Sequence, residues 1–108
     1  MSETLARIRA LVAGGTWRPT HHALRRIQER DLLLQDALDG LETGELVEDY
    51  PGDPRGPSVL VFSVTSTKLP LHAVWGIAAN DNPMVSLVTV YIPNPSEWLE
   101  DNKTRRKT

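Results

Sequence analysis

The apolar residues change their spacing at Gly44, and that change limits what the chain can build. Before it they recur every three or four positions; after it they come in short runs rich in β-branched residues. A helix brings i, i+3 and i+4 to one face and a strand brings i and i+2, so the two parts call for different elements. Leu5, Ile8, Leu11 and Val12 form an amphipathic set that Ser2 can cap and that Gly14 and Gly15 stop. Trp17 and Pro19 read as a short extended connector, since the residue before a proline is pushed out of the helical region. Thr20 reads as the N-cap of a second helix carrying Ala23 and Ile27. Leu33, Leu34, Ala37, Leu38 and Leu41 make a third, closed by Gly44. Gly40 inside that helix costs about 1 kcal/mol relative to alanine and softens it.

After Gly44, Leu46, Val47 and Tyr50 predict a strand that stops at Pro51, and P-G-D-P-R-G-P over 51–57 is a loop. Further strands are expected over 58–66, 69–79 and 84–92, with a turn at Thr67-Lys68 and a break at A-N-D-N-P. The short connections make consecutive strands antiparallel neighbours, and such continuously apolar runs suit a sheet covered in part on both faces. The expected architecture is α+β: short N-terminal helices packed on a four-stranded, mainly antiparallel sheet. Pro93 and Pro95 end the sheet, Ser96 caps a last helical turn bearing Trp98, and 101–108 is a mobile basic tail. The chain reads as one domain over 1–108, with its core at about 20–98.

With 108 residues, 40% hydrophobic and 24% charged, the composition is that of a globular domain. There is no cysteine, so disulfides, thiolate metal sites and cysteine nucleophiles are excluded. Glu3, Arg7 and Arg9 interrupt the first apolar residues, unlike a secretory signal, and no run approaches the ~20 apolar residues of a membrane span. A cytoplasmic location without membrane association is the expectation. The net charge of -2 is unevenly spread: residues 1–30 carry net +4, residues 31–60 net -7, and residues 61–108 net +1.

His22, Arg26 and either Glu29 or Arg30 share one stripe of the second helix. An imidazole that titrates near neutral pH would stand there beside a fixed cation suited to phosphate. The competing reading is an exposed helix face that is simply polar. His72 interrupts an apolar strand on the face of Val74 and Gly76, either as a reactive group or as a core histidine satisfied by a hydrogen bond. Thr89 and Tyr91 share a strand face, with Val85 and Leu87 continuing it inward; their hydroxyls could orient a phosphate, or they could be ordinary strand residues. His21 and His22 invite a metal reading that fails, since no second ligand stands at i+3 or i+4. The acids of 36–49 read as a solvated helix face and a strand edge. Arg105, Arg106 and Lys107 form either a solvated terminus or a clamp on RNA.

Four ordered segments carry a resemblance: H-A-L-R-R-I-Q-E-R at 22–30, L-E-T-G-E-L-V-E-D-Y-P at 41–51, L-P-L-H-A-V-W at 69–75, and V-T-V-Y-I-P at 88–93 followed by Trp98. Over about residues 20–106 the chain resembles a family of small bacterial domains of unknown function. That family is grouped by fold with RelE-like toxins and with barnase, EndoU and colicin ribonucleases. The resemblance implies a RelE- or barnase-like fold and a metal-independent endoribonuclease without cofactor, acting as the toxin of a toxin-antitoxin pair. It implies that His22, Arg26, His72 and Tyr91 are catalytic and that Arg30 and Thr89 touch RNA. Arg105 and Arg106, in the basic tail, join them as candidate RNA contacts. Its partners would be RNA, free or ribosome-bound, and an antitoxin resembling a zinc-finger or helix-turn-helix protein. Asp31 stands where a glycine is usual in the family. The alternatives are a non-catalytic protein-binding module, favoured by the acidic middle segment, and a small phosphate binder, favoured by an enclosed pocket.

Overall fold

The computed structural model describes residues 2–78 and 82–107. Ala79, Asn80 and Asp81, where the third strand run and the A-N-D-N-P break were expected to meet, lie outside the described residues. Three helices, α1 (Glu3–Ala13), α2 (His21–Glu29) and α3 (Leu34–Thr43), lie on a sheet of five strands. The strands are β1 (Trp17–Pro19), β2 (Glu45–Tyr50), β3 (Ser58–Val64), β4 (Pro70–Ile77) and β5 (Val85–Tyr91), in the order β1-β5-β4-β3-β2. The α+β class is as expected, but the sheet has five strands. The connector of Trp17 and Pro19 is the fifth, paired parallel to β5 at the edge while the other pairs are antiparallel. A three-residue strand carries no readable alternation, and proline is tolerated at a sheet edge. No helix among the described residues is long and apolar enough to cross a membrane.

The caps follow local chemistry. Ser2 Oγ accepts from the Leu5 amide at 3.0 Å, and Thr20 Oγ1 accepts from the Ala23 amide at 3.0 Å. Each satisfies an amide with no partner inside its helix. Arg9 reaches across from α1 to donate to the carbonyls of Leu41 and Gly44, at 2.8 and 3.2 Å, closing the end of α3. The core lies between helices and sheet: Leu5, Ile8, Ala23, Ala37 and Leu41 meet Val59, Val61, Leu71, Ala73, Trp75, Val85, Leu87 and Val90. It therefore begins in α1 at Leu5, well before residue 20.

Residues 101–107 are no free tail. The Asn94 side chain and carbonyl, in place of Ser96, organise a turn over 95–97, receiving the Ser96 amide at 2.9 Å and the Glu97 amide at 2.9 Å. Trp98, 2% exposed, then pairs in bridge fashion with Arg105. The segment folds back over the sheet face that the helices leave uncovered.

Two positions, Asp31 and Gly40, have backbone environments with direct consequences for stability. Asp31 has φ +52°, and the amides of Asp31 and Leu32 bond the carbonyls of Gln28 and Ile27 at 3.4 and 2.9 Å. This is a Schellman end, in which glycine is preferred and an L-residue is strained by about 1–2 kcal/mol. Asp31→Gly should therefore raise stability by about 1 kcal/mol in urea unfolding. Gly40 is buried where α3 meets β3, and a Cβ there would collide with the side chain of Ser63. Gly40→Ala should destabilise by about 1–3 kcal/mol despite its gain in helix propensity, and Ser63→Gly should recover most of that loss.

Candidate functional site

Two β-bulges decide what the uncovered face displays. In the β2–β3 pair Leu46 stands opposite Val61, yet Glu48 stands opposite Leu60, so Val47 is an extra residue. In the β4–β5 pair Leu87 stands opposite Trp75 and Thr89 opposite Val74, so Val88 is extra. An extra residue inverts the alternation beyond it, because side chains alternate strictly along a strand. Glu48 and Tyr50 consequently turn to the face of His72, Val74 and Gly76, as do Thr89 and Tyr91. This corrects the expected grouping of Thr89 and Tyr91 with Val85 and Leu87, which point into the helix-side core. The register gives three rows across that face: Glu45, Phe62, His72, Tyr91; then Glu48, Leu60, Val74, Thr89; then Tyr50, Ser58, Gly76, Ser86.

A cleft of about 300 Å³ opens on these rows, lined by Glu48, Tyr50, Ser58, Val74, Tyr91 and Arg105 among others. Glu48 is its electrostatic centre. Arg105 binds it through two parallel hydrogen bonds, Nε to Oε2 at 2.7 Å and Nη2 to Oε1 at 3.1 Å. Tyr50 Oη donates to Oε1 at 2.8 Å. The Arg105 guanidinium holds the Glu48 carboxyl below its ordinary value against the opposing effect of burial, and the same carboxylate pushes the Tyr50 phenol up. Arg105 Cζ also stands 4.5 Å from the Trp98 ring centroid, fixing the cation from below.

His72 lies beneath this cleft and is fully buried. Nε2 stands 2.6 Å from the Asn102 carbonyl and Nδ1 3.2 Å from Tyr91 Oη. The carbonyl can only accept, so Nε2 carries the proton and Nδ1 accepts from Tyr91. Trp98, Tyr91 and Phe62 surround the imidazole edge-on at 4.5, 5.2 and 6.1 Å. Burial pushes its pKa down, and burial likewise raises that of the Tyr91 phenol. His72 thus holds the Tyr91 hydroxyl and the 102 carbonyl in place.

His22 and Arg26 stand in the other layer. Ala23 and Ile27 of the same helix face the helix-side core, to which Leu71 and Ala73 also belong, and these two point away from His72. His22 is exposed, Arg26 half-buried and Arg30, the C-cap residue, exposed. The structure brings together His72, Thr89, Tyr91 and Arg105 on the open face and sets His22, Arg26 and Arg30 apart from them. Arg106 is turned away too, donating through Nε to the Pro95 carbonyl at 2.5 Å. Among the described residues no group of three His, Asp or Glu side chains converges as metal ligands would.

Glu48, Tyr50 and Asn102 were not candidates from sequence. The segment G-E-L-V-E-D-Y-P contained the signal, since Glu48 and Tyr50 are two apart and must share a strand face. Asn102 had none: its contribution is a backbone carbonyl.

Residues 20–92 match a family described as a domain of unknown function, DUF4258, and the chain belongs to that family. The match holds Glu48, Tyr50, His72 and Tyr91, while α1, β1, Trp98, Asn102 and Arg105 lie outside it. No curated protein matches the chain. No solved structure matches it.

His72 predicts a pH dependence. Its folded pKa lies below the free value of ~6.5, so in that window the unfolded state binds more protons. The stabilisation is complete above about pH 6.5 and falls as pH drops towards the folded pKa. Urea midpoints of the wild type should decline between about pH 7.5 and 5, and His72→Gln should flatten that slope while lowering stability throughout.

Proposed function

We propose that the chain is a metal-independent endoribonuclease whose reacting linkage lies in the cleft of Glu48 and Arg105. The observation that carries this reading is the Glu48 carboxylate, kept ionised by a two-pronged arginine and open to a cleft in which Tyr91 also stands. Glu48 takes the proton of a ribose 2'-hydroxyl, whose oxygen attacks the adjacent phosphorus. Tyr91, its phenol kept protonated by burial, turns its hydroxyl from His72 Nδ1 to the departing 5'-oxygen and gives that oxygen its proton. Arg105 stabilises the charge that builds on the phosphorane oxygens. The products are a 2',3'-cyclic phosphate and a 5'-hydroxyl; Glu48 passes its proton to water and the phenol recovers one from water, so no proton is consumed. His72 acts here as a positioning residue for Tyr91, in place of the pair of imidazoles that the sequence suggested.

The resemblance to RelE-like and barnase-type ribonucleases supports the same chemistry. With it goes a role as the toxin of a toxin-antitoxin pair in the cytoplasm, held by a small antitoxin protein. The runner-up is a non-catalytic protein-binding module. It is favoured by β2, an edge strand of sequence E-L-V-E-D-Y within the acidic middle segment, which could pair with a basic strand.

The test is incubation with a defined single-stranded RNA in EDTA, free and with ribosomes, followed by analysis of the cut ends. Wild type should leave 2',3'-cyclic ends. Glu48→Gln should lose about 10²–10⁴ in kcat and Arg105→Ala about 10²–10³. His22→Ala should stay within about twofold of wild type on a minimal substrate. Absence of cleavage under every condition would sink the enzyme and leave the binding module.

A further inference from the structure

The third row of the open face extends beyond the cleft. In the parallel β1–β5 pair Arg18 stands opposite Ser86, so the row reads Tyr50, Ser58, Gly76, Ser86, Arg18 across all five strands. Arg18 belongs to this face because its neighbour Trp17 lies on the other, edge-on to buried Trp75 at 5.9 Å. Between the two ends lies a second depression of about 300 Å³, lined by Arg55, Ser58, Gly76, Ser86 and Val88 among others. It shares Asp53, Arg55, Ser58 and Val74 with the Glu48 cleft, so the two are one groove. Four strand spacings of ~4.8 Å make its run from β2 to β1 roughly 19 Å.

The charges along this run are unequal in kind. Among the described residues ion pairs form at Arg55–Asp53, Lys103–Glu45 and Arg105–Glu48, and none includes Arg18, Arg25 or Arg26. Arg18 lies on β1, and Arg25 and Arg26 lie on α2, the element that follows it after Thr20. Thr20 Oγ1 fastens that junction to the groove rim by donating to the Val88 carbonyl at 2.8 Å. The acidic excess of the chain lies in residues 31–60, on other elements. Arginines without an ion-pair partner among the described residues, at the end of a groove with a small-residue floor, suit a chain of phosphates that passes close to the sheet.

We infer that a single-stranded RNA held at Glu48 and Arg105 continues across the Ser58–Gly76–Ser86 floor to Arg18 on the edge strand, and that its outlying phosphates bind Arg18 and, past that edge on the helix layer, Arg25 and Arg26. This rests on the reading of the cleft as an RNA site, and it specifies the substrate as a strand longer than a dinucleotide. The cations of α2 thereby gain a role distant from the chemistry, in docking the flanking strand.

The test uses a 2'-O-methyl RNA of about twelve nucleotides, which cannot be cleaved, and follows its affinity against potassium chloride concentration. Each phosphate neutralised contributes about -0.7 to the slope of log K against log salt for a single strand. Arg18→Gln/Arg25→Gln, both at exposed positions, should reduce the slope by about 1.4 and weaken binding about tenfold or more at low salt. In cleavage assays the same variant should lose about tenfold of the preference for a twelve-nucleotide RNA over a dinucleotide, through KM and not kcat. An unchanged slope overturns the inference, as does a wild type that binds no single-stranded RNA. Loss of affinity for a polyglutamate peptide with RNA binding intact also overturns it and assigns the surface to an acidic protein. Glu48→Gln separates the two proposals. An arginine-dependent slope with no cleavage by wild type overturns the ribonuclease and leaves the RNA track. Cleavage that Glu48→Gln abolishes, with a slope indifferent to Arg18 and Arg25, overturns the track alone.

Discussion

The two single-residue bulges at Val47 and Val88 are the constraint on which the open face depends. A strand has only two faces, and the helix-side face is claimed by the core: Leu46 and Leu87 lie on it and are followed at once by the extra residue. Without the bulges Glu48 and Tyr50 would point at the helices, and Thr89 and Tyr91 would replace apolar side chains in the core. A carboxylate buried there without a partner would cost several kcal/mol. The bulges let one strand serve the core in one half and the groove in the other, and such irregularities are common beside functional sites.

The C-terminal segment completes what the bulges begin. Glu48 alone on the sheet would be an acid at a surface edge. With Trp98 packed on His72 and Arg105 packed on Trp98, the guanidinium reaches the carboxylate in one fixed orientation. The layers form a stack: imidazole, indole, guanidinium, carboxylate. His72 anchors it from inside, tied to the Asn102 carbonyl and to Tyr91. A charged imidazole would be poorly solvated in that setting, which links the order of the whole stack to the neutral form of one ring.

The same arrangement explains how the charges are divided. Carboxylates at Glu45, Glu48 and Asp53 take up Lys103, Arg105 and Arg55 at one end of the groove. At the other end Arg18 and the arginines of α2 have no such partners among the described residues. One end is a locally neutral cluster whose charges are paired; at the other, among the described residues, the arginines form no ion pair.

Much of the scaffold was legible in the chain because it follows from short-range rules. Ser2 and Thr20 cap their helices, Gly44 closes α3, and the face shared by His72, Val74 and Gly76 follows from simple alternation. The left-handed backbone at Asp31 was not read from the sequence and came with the structure. The site was less legible for three physical reasons. A bulge leaves alternation intact on each side of itself, so Val47 and Val88 look like ordinary strand residues. The docking of residues 101–107 depends on a backbone carbonyl and on ring packing, which have no one-dimensional pattern. The His22–Arg26 stripe was read correctly as a helix face, but helical period says nothing of which layer that face meets. The sequence by itself determined the elements, their caps and the apolar sides they bury, because these depend on neighbours within a few residues. Which polar side chains meet across the open face was decided only by the tertiary structure, since it depends on the registers of five strands and the return of a segment 57 residues beyond Glu48.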